Sequence, residues 1–206
     1  STPIKSSAAS DVYKRQEHHH GHTHSHEHPH EHRGMKEITE IIQKSEMTVR
    51  AKKMAMRVFD ILAQAESKAH GVPVEEVHFH EVGAVDSIVD IAAIAICMDN
   101  LDISNVIVPV LYEGTGFIRC QHGQIPVPVP AVTHIAETHK LKLKITDIQG
   151  ELVTPTGAAV VAAFRTSDRL PEDFTMLKTG IGAGKRQYRC PGILRAMFCL
   201  LYTSDA

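Results

Sequence analysis

The chain has 206 residues, a formal net charge of -2 and an apolar fraction of 43%. This length suits one or two domains with a sizeable core, and the near-neutral charge gives no electrostatic basis for binding nucleic acid. No apolar run approaches the roughly 20 residues that span a bilayer, and the four cysteines are too scattered for a CxxC zinc or redox motif. We therefore expect a cytoplasmic protein with reduced thiols and neither nucleic-acid nor membrane partners.

The two ends of the chain differ in character from the sequence beside them. Residues 1–16 and 199–206 resemble translated adapter runs that contaminate assembled reading frames. We expect both segments to be non-native and the natural protein to be truncated at both ends. Between them, we expect a His-rich segment over 17–34 and one partial domain over 35–198.

The His-rich segment has no apolar residue to bury, so we expect it to be disordered without metal. Neutral imidazole binds Ni, Zn, Cu and Co, and residues two apart in an extended chain share one side. The segment is therefore predicted to bind metal, although a solvated linker of biased composition stays open. The alternating histidines are His18, His20, His22, His24, His26, His28, His30 and His32.

Two helices are predicted next. Ile38, Ile41 and Ile42 have helical spacing within 35–47, and a longer apolar periodicity runs from a cap at Thr48 to a stop at Gly71.

The rest of the chain alternates irregularly between strands and helices. A helix that buries Cys97 is predicted from Ser87 to Leu101, and two strands around a turn at Gly114 and Gly116 follow. The expected class is mixed α/β, with several helices layered on a small mixed sheet. Further helices are predicted over 130–139 and from Pro155, and further strands over 140–146, 175–184 and 193–198.

The segment VHFHEVGAVDSIVDI, residues 77–91, carries the densest group of metal-ligand side chains in the predicted domain. His78 and His80 would leave one face of a strand while Phe79 enters the other. Glu81 follows at the strand end, and Asp86 and Asp90 share one face of the next helix. These groups could hold a divalent metal beside an anionic substrate.

A structural interpretation of the same residues stays open. Ser87 and Asp90 match a capping box, in which both side chains bond to backbone N–H groups at a helix start. Asp86 could be a plain N-cap, and the two histidines could be ordinary strand residues. Spacing alone does not decide between these interpretations.

Several motifs resemble the nickel-insertion proteins of the lactate racemase cofactor pathway (the LarC family). They occur in the family's order and cover about residues 36–198. The family's Asp-Cys-Phe-Ser-Gly-type N-terminal opening and its C-terminal CTP-associated domain are absent. The matching stretches are SKAHGVPVEEVHFHEVGAVDSIVDI, QHGQIPVPVPAV, GELVTPTGAA and GIGAGKR.

This resemblance implies a nickel chelatase, a metal-inserting lyase whose fragment need not be active alone. Its expected substrate is pyridinium-3,5-bisthiocarboxylic acid mononucleotide, which binds nickel through two thiocarboxylates and a ring carbon. CTP, with Mg or Mn, would act through the missing domain. An apo-racemase or related enzyme would receive the product, and a homo-oligomer is left open.

Three further parts of the sequence can be interpreted in terms of nickel insertion. Thr154 is predicted to cap a helix at TPTG, where backbone N–H groups, Thr156 and Gly157 would meet a phosphate. From the residues alone an ordinary capped helix is favoured. The GIGAGK stretch departs from a Walker A loop, and His122 is either a third ligand beside His78 and His80 or a surface turn residue. The contact residues expected from that stretch are Gly182, Gly184 and Lys185.

Two other functions compete with nickel insertion. A nickel-storage or chaperone module would buffer the metal and pass it to a partner without catalysis. A general metal-dependent hydrolase would cleave a phosphate ester without a preference for nickel.

Overall fold

The computed structural model describes residues 34–77, 79, 85–120, 123–184, 186–189 and 191–201. Its first helices are α1 (Met35–Lys44) and α2 (Val49–His70), followed by a 3₁₀ turn over Val74–Glu76 and by α3 (Val85–Asn100). Strands β1 (Leu111–Thr115), β2 (Phe117–Cys120) and β3 (Gly123–Pro126) come next. The chain continues through α4 (Pro130–His139), β4 (Leu143–Gln149), α5 (Pro155–Phe164), β5 (Phe174–Ala183) and β6 (Ile193–Leu201).

Helix α2 lies at the centre of the core, and α1, α3, α4 and α5 pack around it. Local signals fix its length: the Thr48 side chain accepts a hydrogen bond from the Ala51 N–H, and Gly71 ends the helix at φ 68°. The predicted ends of α2 and α4 are thereby confirmed, including Pro130 in the first turn of α4. Fully buried side chains on α2 include Phe59 and Leu62.

The described strands form three two-stranded sheets rather than one. Strands β1 and β4 are parallel, with Leu111 opposite Leu143, while β2 with β3 and β5 with β6 are antiparallel. The mixed α/β class is confirmed. Residues 1–33, which include nearly all of the segment predicted to be disordered, lie outside the described residues. Strand β6 extends from Ile193 through Cys199 to Leu201.

Helix α3 differs from the prediction of a buried helix. It buries Ile88, Ile91 and Ala95 on one side, whereas Val85 and Val89 are exposed. Cys97 is exposed, so its predicted burial is wrong. Apolar residues occur on every side of this helix, and periodicity therefore could not identify the face that packs on α2 and α5.

Candidate functional site

The carboxyl ends of the parallel strands β1 and β4 lie at one edge, and α5 begins just after this edge. The turn 150–154 joins β4 to α5. Gly150 N–H donates to the Thr115 carbonyl over 2.9 Å, which ties this turn to the end of β1. In parallel α/β units, ligands bind at this edge of the strands, so it is the natural place for a site.

Gly114 makes the close contact between these strands possible. A Cβ atom on Gly114 would lie 1.8 Å from the Gly150 carbonyl oxygen and 2.8 Å from that of Ile148. No side chain larger than hydrogen can occupy this position without moving the backbone. The sequence predicted a turn here. The structure instead places Gly114 within β1, and Gly116, at φ 88°, makes the turn to β2.

Glu113 is a fully buried carboxyl group between β1 and the turn. Its Oε1 atom accepts hydrogen bonds from the N–H groups of Gly114 (2.7 Å), Leu152 (2.8 Å) and Val153 (3.1 Å). Burial raises the pKa of Glu113, although these three hydrogen bonds act in the opposite direction. Glu113 was not among the residues predicted from the sequence. The available signal was a single carboxyl group between an apolar run and two glycines.

The start of α5 is capped as predicted. The Thr154 hydroxyl accepts a hydrogen bond from the Gly157 N–H at 3.1 Å, and Pro155 has no N–H to donate. Among the first three helical residues, only Thr156 keeps an N–H without a partner in the described part of the chain. Thr154 and Thr156 are both buried. This helix start therefore offers one free N–H group rather than several.

The segment 186–189 contacts the turn that leads to α5. The Tyr188 hydroxyl donates to the Glu151 carbonyl at 2.9 Å, and its ring lies beside Gly150. Arg189 forms an ion pair with Asp147 and lowers the pKa of that carboxyl group. The structure thus brings together the neighbourhoods of the TPTG and GIGAGK stretches, which are far apart in sequence.

The predicted glycines occupy ordinary positions in this neighbourhood. Gly182 lies in β5 opposite Leu194, and the Gly184 N–H donates to the Gly192 carbonyl at 3.1 Å. Lys185 lies outside the described residues.

Most of the predicted metal ligands also lie outside the described residues, namely His78, His80, Glu81, His122 and the eight alternating histidines of the tract. Across the ranges that are described, no group of three or more His, Cys, Asp and Glu side chains is placed to hold a metal ion.

Asp86 and Asp90 are described, and both lie on α3 one turn apart. Asp86 is exposed and Asp90 is half-buried. The capping-box interpretation does not hold, because α3 begins at Val85 and Ser87 is already its third residue. Phe79 is buried at 2% exposure, as predicted.

No helix in the part of the chain that the structure describes is long and apolar enough to cross a membrane.

The sequence model of the nickel insertion protein family matches residues 4–205. The chain belongs to this family. The resemblance drawn from the motifs is thereby confirmed. No solved structure matches the chain.

The relatives of this chain include proteins named pyridinium-3,5-bisthiocarboxylic acid mononucleotide nickel insertion protein. The one from Alkaliphilus metalliredigens is 54% identical over 164 residues, which are 80% of this chain and 39% of the relative. The one from Acetivibrio thermocellus is 39% identical over 96% of this chain and 48% of its own length. The one from Akkermansia muciniphila is 42% identical over 91% and 45%, respectively. The chain therefore spans half or less of the length of these relatives.

Proposed function

We propose that this chain forms part of a nickel chelatase that inserts nickel into pyridinium-3,5-bisthiocarboxylic acid mononucleotide. The observation that supports this most is the contact between the neighbourhoods of TPTG and GIGAGK, two stretches that were each expected to contact the mononucleotide. Tyr188 and Arg189 follow the GIGAGK stretch. Tyr188 binds the turn just before TPTG, and Arg189 forms an ion pair with Asp147 in β4. Family membership supplies the identity of the substrate.

In this proposal the phosphate of the mononucleotide lies at the start of α5. The Thr156 N–H points out of the first helical turn, where the positive end of the helix dipole favours an anion. Thr154 and Gly157 hold the first turn in shape through their own hydrogen bond. Gly182 and Gly184 would allow the backbone to come close to the phosphate, and Lys185 would contribute a positive charge.

Nickel is a substrate in this reaction and has to be held weakly before transfer. His78, His80 and Glu81, with Asp86, Asp90 and His122 nearby in sequence, would supply nitrogen and oxygen ligands. The thiocarboxylate sulfurs of the substrate are softer ligands and draw nickel away from them. Formation of the nickel–carbon bond replaces a ring C–H bond, and the proton leaves to a base. The His-rich segment would supply the ion.

CTP, with Mg or Mn, belongs to the same proposal and would act through a part of the relatives that the match does not cover. The recipient of the product would be an apo-racemase or a related enzyme.

Nickel transfer to the purified nickel-free ligand tests the proposal. The absorption of the nickel complex would be followed with this chain and with the full-length Alkaliphilus relative, each with and without CTP and Mg. We expect transfer to fall at least tenfold in a His78→Ala/His80→Ala variant of this chain, or in the corresponding variant of the relative when this chain alone does not turn over. A His70→Ala/His134→Ala variant is the matched control.

Equal transfer by the His78→Ala/His80→Ala variant would contradict the metal-site assignment. Nickel binding without transfer, in this chain and in the relative, would favour the storage or chaperone function instead. Phosphate-ester hydrolysis with no nickel preference would favour the hydrolase.

A further inference from the structure

Within the described residues, Oε2 of Glu113 is the buried side-chain atom that lacks a hydrogen-bond partner. The residue is 0% exposed, and its other oxygen already accepts three N–H groups. A buried carboxylate oxygen without a donor is costly, and native proteins keep such a group where a ligand, ion or water supplies the donor. The free oxygen therefore marks a place for a hydrogen-bond donor that is not part of the described chain.

The position of this oxygen restricts what the donor can be. Oε1 of the same carboxyl group binds the N–H groups of Leu152 and Val153, and the next residue, Thr154, is the N-cap of α5. An acceptor for one hydroxyl group thus lies beside a helix start that favours an anion. A phosphorylated sugar presents both complementary groups, a phosphate and a hydroxyl, only a few bonds apart.

We propose that Oε2 of Glu113 accepts a hydrogen bond from a ribose hydroxyl of the mononucleotide whose phosphate lies at the start of α5. The identity of this ligand rests on the proposed function. The arrangement follows the chemistry of other parallel-sheet nucleotide sites, in which the phosphate lies at a helix start and an acidic side chain binds the ribose.

The carboxyl group is covered in the structure, so a ligand reaches it only when a neighbouring segment moves. The contacts of the segment 186–189 include a hydrogen bond from the Tyr188 hydroxyl to the turn, at the Glu151 carbonyl, and an ion pair of Arg189 with Asp147 in β4. The two side chains of this ion pair are 75% and 73% exposed. Exposed pairs of this kind contribute little to stability, and in this proposal the segment 186–189 is the one that moves.

Calorimetry with two probes tests the proposal. One probe is nicotinic acid mononucleotide, which carries a pyridinium ring, a ribose and a phosphate. The other is its 2′,3′-dideoxy analogue, which lacks both ribose hydroxyls. Each is titrated into the unmodified chain, into Glu113→Gln and into Glu172→Gln, which makes the same change at an exposed site. Glutamine keeps the carbonyl that faces the three N–H groups and replaces Oε2 by an uncharged NH2.

We expect Glu113→Gln to weaken the binding of nicotinic acid mononucleotide about tenfold or more. The affinity for the dideoxy analogue should change by no more than about twofold. Glu172→Gln should change neither. Equal weakening of both probes would show a purely structural role and overturn the inference. If Glu113→Gln does not fold, the two probes on the unmodified chain still decide, because equal affinities would also overturn it.

The same titrations separate this inference from the proposed function. If the unmodified chain binds both probes equally, the ribose contact is wrong while mononucleotide binding stands. If the unmodified chain binds neither probe at millimolar concentration, the proposed mononucleotide site fails and the ribose contact fails with it.

Discussion

Tyr188 and Glu113 bind the two ends of one peptide unit. The Tyr188 hydroxyl donates to the Glu151 carbonyl at 2.9 Å, and the N–H of the same peptide, at Leu152, donates to Glu113 Oε1 at 2.8 Å. The peptide is thereby fixed from the 186–189 segment on one side and from β1 on the other. Its orientation sets the path of the chain into α5.

The hydrogen bond from Tyr188 can be removed by deleting one oxygen atom, its hydroxyl. Tyr188→Phe should lower the free energy of unfolding by about 0.5–1.5 kcal/mol, the usual net contribution of a neutral hydrogen bond. The measurement is urea unfolding, with Tyr112→Phe as the matched control, because Tyr112 contacts Lys144 through its ring. A loss in the Tyr112 variant as large as in the Tyr188 variant would contradict the assignment.

Gly114 gives a steric prediction. Gly114→Ala places a methyl group against the Gly150 carbonyl, so it should destabilise the chain by about 1–3 kcal/mol or more. Gly180→Ala, in β5, is the control, since its new Cβ atom would meet no heavy atom within 4 Å. Thermal unfolding of the two variants compares them directly. Similar melting temperatures would show that β1 and the turn do not approach this closely.

Glu113 should make stability depend on pH in a defined direction. Its pKa in the folded chain is raised above the ordinary value of 4.5. The contribution of Glu113 to the free energy of unfolding is therefore fully present below about pH 4.5. It is lost as pH rises through the pKa of Glu113 in the folded chain. The free energy of unfolding of the unmodified chain, minus that of Glu113→Gln, should fall as pH rises through this window. A difference that rises with pH would mean that the ionised form is the stabilised one.

Comparing two helix caps distinguishes an effect on stability from an effect on ligand binding. Thr154→Ala and Thr48→Ala each remove a cap hydrogen bond, of 3.1 Å and 3.0 Å, and the loss of the cap should cost about 0.5–2 kcal/mol of stability in each. Thr48→Ala also removes the hydrogen bond that the Thr48 hydroxyl donates to Asp99, so its total cost should be the larger. Only Thr154→Ala should also weaken binding of nicotinic acid mononucleotide, because Thr154 shapes the helix start that receives the phosphate. Calorimetry at a temperature where both variants are folded provides the comparison. If both substitutions changed the affinity equally, the ligand would not be bound at the start of α5.

The His-rich segment gives a prediction of its own. Deleting residues 17–32 should lower the number of nickel ions bound per chain and leave the helical circular dichroism unchanged, because the helices and core that the structure describes lie after this segment, with Ile38 the first buried residue among those described. Nickel titration by calorimetry measures the stoichiometry. An unchanged number of bound ions would refute metal binding by the segment.

Elements with local signals could be predicted from the sequence. Thr48, Gly71, Pro130 and Thr154 each act on the backbone within four residues, and the helices begin or end where these residues predicted. These signals depend on short-range geometry, which the sequence displays directly.

The centre of the candidate site could not be predicted in this way. Glu113 and its partner Leu152 are 39 residues apart, and Gly114 is constrained by Gly150. Nothing near Glu113 in sequence indicates that it meets these residues, because the contact arises only when β1 and β4 pair. For the same reason the packed face of α3, and with it the exposure of Cys97, had to come from the structure.

A crystal structure of this chain with the nickel-free pincer mononucleotide would test the candidate site most directly. We predict that the phosphate lies within hydrogen-bond distance of the Thr156 N–H, with the ring directed toward the segment that contains His78 and His80. A ligand bound elsewhere, with the start of α5 covered as it is here, would contradict the proposed site.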